Sequence, residues 1–354
     1  YSNGNGALPV IQRNSDGPNI LLTGSYIPVQ NVELRGIAPS TTQCTYNSVT
    51  ETLAVGHVDG VDIDTGAFNN TVQNIVGSGF YAAVWIKSDA YGNKILRNNF
   101  HDNLMLSSGL SAGAFGVLIH GHDNEIAYNT INGNDACSPA YGRDGAAVEL
   151  YGSGGSIGAS NNVIHHNFAT NDDSFAELGK TSGAKSVNNT FAYNQYVYNS
   201  SHNHGIFVVT RGSSDGYGPI LGTKLYNNTA YMTGNFKQGI VCYAGCDSSI
   251  LKMRNNIIQK AAAMYSDRAI DENYNMFIGS VSLGGGGKGA NSLQSTNTSY
   301  AGFTNISGNN FSLTSGSPAI NAGTGDNGGF SYDLHNPTHT VPSGSAVDMG
   351  AYEF

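Results

Sequence analysis

The segment FGVLIHG at residues 115–121, followed by NEIAYNTI at 124–131, decides the fold. A short apolar run rich in β-branched residues ends at a glycine. A polar turn follows, then an asparagine corner and a second short apolar run. The same order returns along the chain. AAVWIKS (82–88) precedes NKILRNNF (93–100), and AAVELYG (146–152) precedes NNVIHHNF (161–168). SFAELGK (174–180) precedes NNTFAYN (188–194), IFVVTRG (206–212) precedes KLYNNTAY (224–231), and GIVCYAG (239–245) precedes LKMRNNII (251–258). Each run has strand length and strand composition, and helical spacing of apolar residues is nearly absent. A single such rung cannot bury its apolar face, whereas stacked rungs bury a continuous core. The uneven spacing, about thirty residues, fits rungs of fixed wall and variable loops. Asparagine suits the corners because it tolerates left-handed backbone and its amide can bond to the asparagine of the next rung. The reading is an all-β chain forming a right-handed parallel β-helix (solenoid) with long loops on one wall. It is taken as a single domain over 1–354, with rungs over roughly 20–320 and a closing segment at 311–354. A β-sandwich and a propeller are the competing architectures.

Composition narrows the function classes. The net charge is −9, which argues against nucleic acid as a partner. No run of eighteen apolar residues exists, so no membrane span is expected. Sparse lysine and abundant Asn, Ser, Thr and Gly suggest a secreted, extracellular protein. The start YSNGNGALPV shows no signal peptide and is expected to be a mature or trimmed form. The four cysteines, Cys44, Cys137, Cys242 and Cys246, form no CxxC pair, which weakens zinc and redox readings and leaves one or two disulfides possible. Cys242 and Cys246 are expected either to join locally or to leave Cys242 a free thiol. A monomer is expected.

The stretches LTSGSPAINAGTGDNGG (313–329) and DLHNPTHTVPSGSAVDMGAYEF (333–354) resemble the closing segment of secreted right-handed parallel β-helix carbohydrate-active proteins, the pectinase and alginate-lyase-like superfamily. The pattern there is S-P-A-I-D-A-G, then D-I-G-A-Y-E. Here Asn321 replaces the usual Asp and Met349 the usual Ile. The resemblance implies the fold. It leaves function open among pectinases, lyases, epimerases and glycosidases, which share this architecture. The amphipathic helix that commonly caps such solenoids at the N-terminus is not visible.

Strand alternation assigns faces. Val84 and Ile86, Val117 and Ile119, Val148 and Leu150, Ala176 and Leu178, Val208 and Thr210, and Val241 and Tyr243 are expected to point inward. Trp85, Leu118, Glu149, Glu177, Val209 and Cys242 then form one outward column. Lys87, His120, Tyr151, Gly179, Arg211 and Ala244 form the next, and Asp62 and Asp64 precede both. Asp144, Asp172 and Asp173 enter the same strands from the preceding turns. The pair DGAAVEL (144–150) and DDSFAEL (172–178) places Glu over Glu and Asp over Asp. Charge is scarce in this chain, at 12%, so its concentration on one wall points to function. His165 and His166 are read as structural, and so is His57.

Adjacent rungs stand about 4.8 Å apart, and stacked carboxylates that close do not both ionise cheaply. One becomes an acid and the other a base or nucleophile, as glycoside hydrolysis requires. The leading expectation is a polysaccharide- or oligosaccharide-degrading glycoside hydrolase with no required cofactor. Its catalytic candidates are Glu149, Glu177, Asp144, Asp172 and Asp173. Trp85, Lys87, His120, Tyr151, Lys180, His204 and Arg211 are the substrate-binding candidates. The resemblance to alginate and chondroitin lyases implies an alternative, with calcium held by Glu149 and Glu177, Lys180 as base and Arg211 assisting. A partial likeness to polygalacturonases places Asp172 and Asp173 as acid or base with His204 in support. A non-catalytic glycan binder or adhesin is the third class.

Overall fold

The computed structural model describes residues 6–37, 44–45, 48–49, 57–106, 112–138, 141–200, 205–233, 238–284, 287–335 and 338–354. Among them the regular structure is strand, apart from one 3-10 turn at Ile306–Gly308. No helix is long and apolar enough to cross a membrane. The strands are parallel in every named rung pairing, and the fold is the right-handed parallel β-helix. The chain divides into two compact units. The first comprises Tyr1–Ser160, Ala169–Glu177 and Gly183–Lys185, the second Asn161–Phe168, Leu178–Ser182 and Ser186–Phe354.

In the first unit each rung contributes three short strands, such as Ala82–Ile86, Lys94–Leu96 and Asn99–His101. The functional wall stacks Val58–Ile63, Ala82–Ile86, Phe115–Ile119 and Ala146–Gly152 in register. Its interior column holds Val61, Val84, Val117 and Val148 on one level and Ile63, Ile86, Ile119 and Leu150 on the next, all fully buried. Burying each such side chain contributes roughly 1.5–3 kcal/mol. Strict alternation fails one step earlier, at Gly60, Ala83, Gly116 and Ala147. A Cβ on Gly116 would meet Ile131 Cγ2 at 2.7 Å and Asn134 Nδ2 at 3.4 Å, so this position also faces in and must be small.

The second unit repeats the plan, with Gln195–Tyr198 on Thr229–Met232 on Ile257–Gln259, and Ile206–Arg211 on Gln238–Tyr243. Here one expected register is corrected. Val209 pairs with Val241 and Arg211 with Tyr243, so Val241 takes the outward column and Cys242 the interior. Cys242 is fully buried and bonded to Cys246, while Tyr243 is 38% exposed rather than inward. The strand begins at Gln238, one residue before the apolar run, and the disulfide holds the small sulfur side inside while the larger, hydroxylated ring stays in water. Cys137 is disulfide-bonded as well, and no described cysteine is free.

The asparagine corners divide their work between consecutive residues. The first adopts positive φ and the second forms the ladder. Asn69, Arg97, Tyr128, His166, Tyr193, Asn227, Asn255 and Tyr274 all have positive φ. Asn70, Asn98, Asn129, Asn167, Asn194, Asn228, Asn256 and Asn275 follow them. Asn194 is representative. Its Oδ1 accepts from Asn167 N and Asn167 Nδ2, each at 3.0 Å. Its Nδ2 donates to Ile164 O at 2.9 Å and to Asn228 Oδ1 at 3.0 Å. The buried backbone at this corner thereby finds its partners.

Candidate functional site

The outer face of the first unit's wall carries the charge. Asp62, Trp85, Leu118 and Glu149 occupy one outward column by direct register. Ser174 N donates to Gly145 O at 3.0 Å, just as Ala146 N donates to Ala114 O. Since Ala146 pairs with Phe115, the same pattern sets Glu177 opposite Glu149. Their Cα atoms are then one rung apart, about 4.8 Å.

Asp144 sits at the entry to this strand. Its Oδ2 accepts from Gly113 N at 3.0 Å. Burial pushes its carboxyl well above the usual range, and the nearby charges of Glu177 and Asp173 push it further. The three therefore share one field, and Glu177 is half-buried on the outer face. Glu149 lies beside Tyr81, whose hydroxyl is raised by burial and by the charges of Asp59, Glu149 and Asp144. Those contributions locate Asp59, Glu149 and Asp144 around a single phenol.

Asp172 is not part of this group. It is fully buried at a corner, where Oδ1 accepts from Asn134 N at 3.0 Å and from the Asn134 amide. It occupies a ladder slot, preceded by Asn171 at φ 56, and the structure assigns it to the scaffold in place of the expected surface role.

The binding candidates are distributed unevenly. Lys87 pairs with Asp62 at 3.0 Å, and its Nζ lies 2.7 Å from the Trp85 ring centroid. One face of Trp85 is thus taken by that ammonium rather than open to a sugar. His57, Tyr81 and His120 surround the ring at centroid distances of 5.3, 5.7 and 5.5 Å. His120 is pushed down to about 4, by burial first and by Lys87 second, so it is a neutral ring at neutral pH. Its Nδ1 is 2.7 Å from Ser153 Oγ. Tyr151 follows it at 6.3 Å between ring centroids.

Asp59 and His57 were not singled out as site residues by the sequence. His57 Nδ1 meets Asp59 Oδ2 at 2.9 Å, and this bond raises the imidazole. Their signal is the extra inward step at Gly60, which turns Asp59 to the outer face, and simple alternation misses it.

In the second unit Arg211 donates to Leu178 O, pairs with Asp215 at 3.8 Å and lies 5.6 Å from the Tyr217 ring. Lys180 N donates to Tyr217 O at 3.0 Å, and its side chain is half-buried. His204 lies outside the described residues. Among the described residues the donor atoms close enough to hold a metal ion are those of Asp333, His335 and His339; Glu149 and Glu177 do not belong to such a group.

Comparison with solved structures shows a likeness of fold. The tailspike protein of E. coli bacteriophage HK620, in complex with pentasaccharide, superposes with a TM-score of 0.50 at 13% identity, over 72% of this chain and 41% of its own. A double mutant of that tailspike gives 0.51 at 13% identity, over 72% and 43%. This chain spans about two fifths of the length of those tailspike chains. Pectate lyase Pel9A aligns over 97% of this chain and 87% of its own at 15% identity, but its TM-score of 0.40 is too low to carry an argument. No protein-family model matches the chain, and no curated protein does. Fold and site together define a parallel β-helix with a recessed carboxylate cluster beside aromatic side chains.

Proposed function

We propose that this protein is a secreted glycoside hydrolase acting on a polysaccharide or oligosaccharide, with Asp144 as proton donor and Glu177 as the base or nucleophile. The observation that carries this reading is the environment of Asp144. Burial, Glu177 and Asp173 push its carboxyl well above the usual range, with the half-buried Glu177 nearby. An acid of raised proton affinity beside a second carboxylate is the arrangement that glycosidic cleavage needs. Glu149 and Asp173 set the field around the pair, and the half-buried Trp85 and Tyr151 supply ring surface for sugar. The phage tailspike of like fold binds a pentasaccharide, which is compatible with an elongated sugar lying along such a wall.

Charge favours hydrolysis over β-elimination. A lyase acts on uronate polymers and needs cations to receive their carboxylates. Here Asp59, Asp62, Glu149, Asp173 and Glu177 crowd the wall, and its Lys87 is spent on Asp62 and Trp85. A neutral or amino sugar fits this face, and a polyuronate is repelled by it. Arg211 is likewise held by Leu178 O, Asp215 and Tyr217.

The test is cleavage of a panel of neutral, amino and uronic oligosaccharides by the wild type, Asp144→Asn and Glu177→Gln. New reducing ends without ultraviolet-absorbing unsaturated products are expected, falling at least ~100-fold in each variant while the circular dichroism spectrum is unchanged. Cleavage that survives both substitutions sinks the assignment. Unsaturated uronate products establish a lyase instead.

A further inference from the structure

We infer that the closing segment carries a site for one divalent transition-metal ion of the zinc class, held by Asp333, His335 and His339. The segments 331–335 and 338–341 build it. Tyr332 bridges Thr340 antiparallel, Asp333 N donates to His339 O at 3.2 Å, and Val341 N donates to Ser331 O at 3.0 Å. This crossing sets Asp333 and His339 face to face, and His335 folds back two residues on. His335 Nδ1 lies 3.2 Å and His339 Nδ1 3.1 Å from the same oxygen, Asp333 Oδ2. The three donor atoms lie within 4.8 Å of one another. Nitrogen and oxygen ligands about 2.0–2.1 Å from a tetrahedral ion are about 3.3 Å apart, so the spacing matches two edges of such a site.

A second, independent observation calls for a cation. Asp333, Asp348 and Glu353 are all buried, at 0%, 2% and 2% exposure. No Lys or Arg pairs with these carboxylates among the described residues; Asp333 is met by the two imidazoles. Asp333 Oδ2 also accepts from Glu353 N at 2.8 Å. A divalent ion between the imidazoles would neutralise this pocket, which side chains alone leave short of positive charge. His335 and His339 are about two fifths exposed, at 42% and 39% of their side chains. The ion would have an entry path and a fourth position open to water. Imidazole with carboxylate selects zinc or its neighbours over calcium or magnesium, which prefer all-oxygen shells.

The site shares no residue with the carboxylate wall, and its test needs no glycan. The full chain is stripped with chelator and dialysed against zinc, with bound metal counted and the melting temperature followed. One zinc per chain and a raised melting temperature are expected in the wild type, and both are lost in the His335→Gln/His339→Gln protein. Calcium or magnesium at equal concentration gives no shift. Failure of the wild type to bind stoichiometrically overturns the inference, and so does equal binding by the double variant, which would place the metal on other histidines. If the double variant does not fold, His335→Gln alone decides, since its exposed ring supports no packed core: binding weakened at least tenfold sustains the site, and unchanged binding overturns it.

Discussion

Asp172 accepts a hydrogen bond from the backbone N–H of Asn134 at 3.0 Å and a second from the Asn134 amide. It therefore stands where the corners above it hold asparagine: Asn103 Nδ2 donates to Asn134 Oδ1 in the same column at 2.7 Å. The carboxylate is fully buried, and burial pushes it up to about 8 from 3.8.

This displacement has a definite sign. Between about 4 and about 8 the folded chain holds a proton that the unfolded chain has released, so stability falls as pH rises through that window. Asp172→Asn keeps the accepting oxygen and removes the titration. Each tenfold change in proton affinity is worth ~1.4 kcal/mol, so the variant is expected to exceed the wild type in stability by roughly 2 kcal/mol or more near pH 8. It should melt higher there, with the gap closing toward about pH 4. Melting curves across this range check it, and a constant gap would refute the linkage.

A ladder asparagine in the second unit should be expensive to remove. Asn194→Ala strips the acceptor of Asn167 N and the donor to Ile164 O, both in the buried interior. Orphaned buried groups cost about 1–3 kcal/mol each, so a loss of about 3 kcal/mol is expected in urea titration. A loss below ~1 kcal/mol would show that water replaces the amide.

The charge of Asp173 raises Asp144. If Asp144 is the proton donor, activity falls as pH rises through its raised pKa. Asp173→Asn removes one of the charges that hold the proton, so the basic limb of the kcat/KM profile should move to lower pH. A basic limb that stays in place dissociates Asp144 from the rate.

The Cys242–Cys246 bridge closes a short loop whose Gly245 and Cys246 N–H groups already donate to Asp267 at 2.6 and 3.0 Å. A loop this short restricts the unfolded chain by roughly 2 kcal/mol. Cys246→Ser is expected to lower the melting temperature by a few degrees and leave the fold intact. Global unfolding of that variant would show that this disulfide, rather than rung stacking, holds the strand Gln238–Tyr243 in place.

Much of this was legible in the residues. The repeated apolar run followed by an asparagine corner pointed to the parallel solenoid, and the outward columns through Trp85 and Glu149 and through Lys87 and His120 follow from alternation. What alternation could not supply are its interruptions. The inward step at Gly60 and Gly116 turned Asp59 outward, and the start of a strand at Gln238 exchanged the faces of Cys242 and Tyr243. The sequence also merged two jobs in one asparagine. Left-handed backbone and ladder bonding fall on neighbouring residues, which is why Arg97, Tyr128 and Tyr193 hold positive φ while the next residue is asparagine. Asp172 looked like a surface acid because its spacing to Glu177 copies that of Asp144 to Glu149. Depth is a property of the corner, and spacing does not encode it.

The corner ladders have a direction. Among the second-position asparagines, the amide nitrogen of one rung donates to the oxygen of the next rung along the chain, as in Asn70 to Asn93 to Asn124 and in Asn194 to Asn228 to Asn256 to Asn275. Aligned in this way the amides polarise one another, and the sequence can stop such a wire only with a group that accepts. Asp172 receives from Asn134, and Glu272 Oε1 receives from the Asn275 amide at 2.8 Å. The columns thus carry punctuation: asparagine means continue, and a residue that need only receive marks the last word.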